Sequence, residues 1–149
     1  EYSFSERSES KALLLSLVAT AVPAALSAPA AFGESESSDE AALVFLGSLV
    51  VGPSLGHFYA GSSGRALLGM GIRTAALVGL AGAVAISWDE ESTGGDALAL
   101  ASLGIGAFSI AWDIASSPAS AKRYNETHGL NIGLGPVGGA PGILVATSF

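Results

Sequence analysis

Hydrophobic positions in this chain gather into long runs, with no recurring polar stripe to mark a water-facing side. Four nearly uncharged stretches, Ala12 to Phe32, Ala41 to Gly64, Ala66 to Trp88 and Ala97 to Trp112, are separated by short charged connectors. A membrane-spanning helix needs about 20 apolar residues, within a range of roughly 17 to 25. The first three stretches meet that length, and the fourth draws on Gly94, Gly95, Ile114 and Ala115 to complete it. The pattern therefore predicts an all-α membrane protein: a four-transmembrane-helix bundle with spans over 12–32, 41–60, 65–88 and 95–115. A polar segment over 1–11 precedes the bundle. A short basic juxtamembrane helix over 116–129 and a β-hairpin-like tail over 130–149 follow it.

The charged connectors alternate in sign. Arg7 and Lys11 precede the first stretch, Arg65 and Arg73 fall at and just inside the start of the third, and Lys122 and Arg123 follow the fourth. The other two connectors carry Glu34, Glu36, Asp39 and Glu40, then Asp89, Glu90, Glu91 and Asp96, without Lys or Arg. Short loops rich in Lys and Arg stay in the cytoplasm. Both termini are accordingly expected to be cytoplasmic and the acidic loops external, in a bacterial inner membrane. The first stretch, with its basic start and the small residues of Ala24 to Ala31, also has the form of a secretory signal. The expectation taken here is a retained span, kinked by Pro23 and Pro29.

Composition agrees with lipid as the solvent. Half of the residues are hydrophobic and 13% are charged, against roughly a quarter charged in an ordinary soluble domain. The mean hydropathy is +0.54. The net charge of −7 resides mostly in the two acidic connectors and makes nucleic acid a poor partner. A calcium site at Asp89-Glu90-Glu91 would lack the alternating oxygen ligands of a calcium loop. With no cysteine and only His57 and His128, no metal centre or other cofactor site is expected.

Small residues four apart allow helices to approach closely in lipid, where packing rather than water drives association. Gly52 with Gly56, the series Gly71, Ala75, Gly79 and Ala83, and the series Ala107, Ala111 and Ala115 are the predicted packing ridges. A ridge unused within the chain would serve another subunit.

The threading brings His57, Arg65, Arg73 and Asp113 near one face. An unpaired Arg within a span costs roughly 2.5 to 3.5 kcal/mol on insertion scales. Asp113 is the one acid available in the spans, so an Arg73–Asp113 pair with His57 nearby is predicted. It reads as a pin on helix register in preference to a proton relay, since one acid and one base at one end make no path across a bilayer. Tyr59, Trp88 and Trp112, with Phe58, fall at span ends, where rings favour the headgroup level.

Ser117-Pro118 has the form of a helix start and Gly129 of a stop. Between them a basic helix would set Lys122 and Arg123 against anionic headgroups. In the tail, Leu130, Ile132 and Leu134 alternate with Asn131 and Gly133, a Pro/Gly turn follows, and Gly142 to Phe149 is apolar, which is a hairpin signal. Tyr2 and Phe4 alternate similarly and could add a strand. Such strand material would bind a protein partner by edge pairing.

The run Gly52-Pro53-Ser54-Leu55-Gly56-His57-Phe58-Tyr59-Ala60-Gly61, continued by Gly64-Arg65-Ala66-Leu67-Leu68-Gly69, resembles the loop signature of the small bacterial two-transmembrane-helix domain family. Ile110-Ala111-Trp112-Asp113-Ile114, with Pro118 and Lys122-Arg123-Tyr124-Asn125, is similar to that family's Trp-Asp helix end and basic exit. The likeness covers the middle and exit of the chain, with an additional span between the two motifs. It implies a membrane topology, and a cytoplasmic-side cluster of His57, Tyr59 and Asp113. Small size, the small-residue helix faces and the strand-like tail make the expected function a non-catalytic accessory or scaffolding subunit of a larger membrane protein complex. The alternative is a small channel or transporter protomer using the His/Arg/Asp cluster. No nucleophile with a partnered base and no phosphate loop points to an enzyme.

Overall fold

A computed structural model of the chain describes residues 6–33, 38–88, 94–128, 130–137 and 140–147. The bundle consists of α1 (Glu9–Ala31), α2 (Ser38–Val51), a one-turn 3-10 segment (Gly52–Ser54), α3 (Leu55–Tyr59), α4 (Ser63–Ser87) and α5 (Gly94–His128). Four helical units, Glu9–Ala31, Ser38–Tyr59, Ser63–Ser87 and Gly94–His128, are long and apolar enough to cross a membrane. The acidic triplet Asp89-Glu90-Glu91 and the strand expected at Tyr2 and Phe4 lie outside the described residues.

What faces inward is the reverse of a water-soluble core. Among the residues whose burial is described, the buried apolar side chains are Pro53 and the alanines Ala12, Ala60, Ala66, Ala83 and Ala121, accompanied by buried Ser16, Thr20, Ser48, Ser54, Ser102, Ser109, Ser117 and Ser120. Leu14, Leu26, Leu43, Leu68, Val78, Leu100 and Phe108 face outward. In water this arrangement would leave most of the hydrophobic drive unused. In lipid it is favourable, because small residues let backbones approach and large ones meet acyl chains.

Local chemistry sets where each helix starts and breaks. Ser8 caps α1, its hydroxyl accepting from the Lys11 N–H at 3.3 Å, which satisfies one of the four amides left open at a helix start. The second span breaks at Gly52-Pro53, where proline supplies no amide to the helix. Ser16 of α1 enters the break, donating to the Pro53 carbonyl at 2.8 Å and accepting from the Gly56 N–H at 3.0 Å. Irregular backbone at membrane depth persists only when the protein satisfies it in this way.

After α3 the chain turns through Gly61, whose φ of 73° suits glycine. Gly61 N–H donates to the Phe58 carbonyl at 3.0 Å and Ser62 N–H to the His57 carbonyl at 2.8 Å. That pair of bonds is a Schellman stop, and it aims the chain straight into α4.

Helices α4 and α5 form the most extensive contact, α1 and α2 the next, and α1 against α5 joins the two pairs. At 35 residues, α5 is about 50 Å long, well beyond a hydrocarbon core of about 30 Å. Its C-terminal part stays packed against the start of α1 and against α3, with Ser117, Ser120 and Ala121 buried.

The separate juxtamembrane helix expected over 116–129 is in fact the C-terminal end of α5. Pro118 lies inside the helix and leaves the Ile114 carbonyl without its usual donor. The Ser117 hydroxyl donates to that carbonyl at 2.9 Å, so the helix passes through the proline without a new start.

Candidate functional site

The break in the second span, the first half of α4 and the middle of α5 meet around one buried polar cluster. Arg73 on α4 is 2% exposed and Asp113 on α5 is 4% exposed. Arg73 Nη1 lies 2.8 Å from Asp113 Oδ2. The other two guanidinium nitrogens are also engaged. Nε donates to the Val50 carbonyl at the edge of the break, 2.9 Å away; Nη1 also reaches Ser109 Oγ at 3.2 Å; and Nη2 donates to Ser54 Oγ.

Ser54, fully buried, is the hub. Its oxygen accepts from Arg73, and its own hydrogen has two acceptors in reach, Asp113 Oδ2 and the Ala66 carbonyl, each at 3.1 Å. His57 lies on the other side of the carboxylate, with Nε2 3.7 Å from Asp113 Oδ1. Its Nδ1 is 2.8 Å from Ser120 Oγ and its Nε2 is 3.3 Å from Ser116 Oγ. Gly69 makes room for this arrangement, since a Cβ there would overlap the Asp113 carboxylate.

The structure therefore unites His57, Arg73 and Asp113, and adds Ser54, Ser109, Ser116 and Ser120, which sequence reasoning missed. For Ser109 and Ser120 a spacing signal exists along α5, visible once its buried face is known. Gly95, Ser102, Ser109, Asp113, Ser117 and Ser120 all lie on its buried face, at spacings of three, four and seven that keep one side of a helix.

Tyr59 makes no hydrogen bond to His57, Arg73 or Asp113 among the described residues. It turns towards the start of α1, where its hydroxyl accepts from the Ser8 N–H at 3.1 Å and its ring packs beside Ala12, Ala60 and Ala121. The reason is the amide at the helix cap, which needs an acceptor in a half-buried place. Trp88 and Trp112, 81% and 54% exposed, do face outward, Trp112 stacking on Phe108 at 6.0 Å. Lys122 and Arg123 are exposed near the C-terminal end of α5, Lys122 being 3.9 Å from Glu126.

Only part of the predicted glycine and alanine packing holds within the chain. Gly52 meets Ala19 and Thr20 of α1, and Gly56 meets Ala12 and Ser16 of α1 and Ser117 of α5. Gly79 meets Ser102. Gly71 has nothing within 4 Å of a Cβ position, and Ala107 and Ala111 are exposed. A four-residue series rotates about 40° per step around a helix of 3.6 residues per turn. The ridge that begins outward at Gly71 and Ala75 has therefore wound inward by Gly79 and Ala83.

A second polar knot ties the N-terminus to α5. Asn125 Oδ1 accepts from the Arg7 N–H at 2.7 Å, and Asn125 Nδ2 donates to the Arg7 carbonyl at 2.9 Å. The Arg7 guanidinium carbon lies 5.3 Å from the Tyr59 ring centre and 5.1 Å from that of Tyr124, within range for cation–π attraction.

Comparison with protein families, with characterised proteins and with solved structures returned no match to this chain.

Proposed function

We propose that this chain is a non-catalytic accessory or scaffolding subunit of a larger membrane protein complex, related to the small two-transmembrane-helix domain family. The observation that carries the proposal is the outward placement of small residues. Gly47 on α2 and Gly71 on α4 have open space around their Cβ positions, and Ala75, Ala107 and Ala111 are exposed. Glycine inside a helix costs about 1 kcal/mol relative to alanine. No contact among the described residues makes use of that cost at Gly47 or Gly71, whereas a second helix packed closely there would.

The polar cluster supports the same reading. Arg73 is engaged through all three nitrogens, and its acid partner is held at the same end of the bundle. Thr20, Ser27 and Ser87, further along the helices, hydrogen-bond to carbonyls of their own helices and so offer no continuous polar route. A channel or transporter needs such a route; a register pin does not.

Orientation and tail belong to the proposal. The basic connectors support cytoplasmic termini in a bacterial inner membrane. A C-terminal β-hairpin is supported by the antiparallel register of Leu130–Val137 with Ala140–Thr147, Leu130 opposite Thr147. Its edges would pair with a partner's strand.

Extraction from native membranes in mild detergent, followed by size and mass analysis, tests the proposal. The expected result is co-migration with different polypeptides, lost in Gly71→Leu while the chain itself remains folded. Migration of the wild-type chain alone, or only with copies of itself, would contradict it.

A further inference from the structure

Between α4 and α5 an open groove of about 620 Å³ runs along the helix axes, lined by Arg65, Leu68, Ile72, Ile105, Phe108 and Trp112 among others. Its walls are exposed apolar side chains: Leu68, Ile72, Ile105, Phe108 and Trp112 are between 40% and 68% exposed. Gly104 lies along it with nothing within 4 Å of a Cβ position. The groove is thus open sideways, where a spanning bundle meets lipid.

Its two ends differ in chemistry. Arg65 is the third residue of α4, at the membrane boundary, and its guanidinium makes no hydrogen bond or ion pair among the described residues. Leu68 and Ile72 follow one and two turns deeper on the same side of α4. From α5, Trp112, Phe108 and Ile105 descend in step. The carboxylate on the groove floor, Asp113, is already paired with Arg73 at 2.8 Å, so it does not compete for Arg65.

We infer that this groove is a binding site for one anionic phospholipid, with an acyl chain along Leu68, Ile72, Ile105 and Phe108 and the headgroup phosphate on Arg65. An unpartnered, planar guanidinium donates two parallel hydrogen bonds to phosphate oxygens. A net negative headgroup is preferred over a zwitterionic one because the latter's ammonium group is repelled by the same cation. This site is independent of the accessory-subunit reading, which rests on Gly47, Gly71 and the outward alanines.

The chain contains two tryptophans, and Trp88→Phe leaves Trp112 as the only indole, inside the groove. The purified full chain carrying that change is reconstituted in phosphatidylcholine vesicles. Brominated phosphatidylglycerol, or the same fraction of brominated phosphatidylcholine, is then introduced, and quenching of Trp112 is read.

The expected result is an apparent affinity about fivefold higher for the anionic lipid, the size of one basic residue's contribution near a membrane surface. Arg65→Gln brings the two lipids to equality and Arg65→Lys keeps a preference. Gly104→Leu, which fills the groove, lowers quenching by both. Equal quenching of the parent by both lipids would mean ordinary bilayer contact and overturns the site. So does a preference that survives Arg65→Gln, or an indole that neither lipid reaches because protein covers it. Circular dichroism on each variant confirms that the helices are retained, and Arg65→Lys supplies a folded control of unchanged charge.

Discussion

Arg73 and Asp113 meet at 2.8 Å across the α4–α5 contact, both almost sealed from their surroundings, and Ser54 from the broken second span closes the triangle with both of them. Removing one member of a buried pair strands the other charge, at a cost of about 3–5 kcal/mol, whereas removing both together is far milder. Asp113→Ala and Arg73→Ala are each expected to lose stability of that order in reversible unfolding from detergent micelles. The double change Arg73→Met with Asp113→Leu is expected to lose less than either single change. Additive losses would show that the two side chains do not act as a pair.

Gly69 and Gly71 are two residues apart on α4 but have opposite surroundings. A Cβ on Gly69 meets the Asp113 carboxylate, while one on Gly71 meets nothing. Gly69→Ala should therefore destabilise by about 1–3 kcal/mol, the usual cost of overpacking. Gly71→Ala should be neutral or stabilise by up to about 1 kcal/mol through helix propensity. Thermal unfolding of the two variants in the same detergent separates them. Equal losses would place both glycines in the same kind of contact.

The part of the site that could be read from sequence was the part forced by charge. An Arg and an Asp inside apolar stretches must find each other or reach water, so Arg73, Asp113 and the neighbouring His57 were legible from position alone. Ser54, Ser109 and Ser120 were not, because a serine in an apolar helix can always bond back to its own carbonyls, as Thr20 and Ser27 do. Pro118 misled for a related reason: proline usually marks a helix start, and only the Ser117 hydroxyl under it shows that α5 continues. The small-residue ridges gave spacing without direction. Which side of α4 faces inward is decided by Arg73 and Gly69, and that leaves Gly71 and Ala75 outside.

Asn125 holds both backbone groups of Arg7, one through its amide oxygen and one through its amide nitrogen. Asn125→Ala removes both bonds at once. Arg7 is a trypsin site, and cleavage after it requires the segment to leave α5. The expected outcome is cleavage after Arg7 several-fold faster in Asn125→Ala than in the parent. Asn125→Asp, which keeps the acceptor for the Arg7 N–H but loses the donor, should be intermediate. Unchanged cleavage in both variants would mean the knot does not restrain the N-terminus.

The arrangement of spans can be tested without disturbing any native thiol, since the chain has no cysteine. Glu40 lies in the first turn of α2, and Lys122 is exposed near the C-terminal end of α5, at the opposite end of the bundle. With both termini cytoplasmic, Glu40→Cys should react with a membrane-impermeant maleimide on intact cells, and Lys122→Cys only after the membrane is opened. Reaction at Lys122→Cys alone in intact cells would invert the orientation that the basic connectors support. Reaction at both positions from the same side would be incompatible with a bundle that crosses the bilayer between them, because about 30 Å of hydrocarbon separates its two ends.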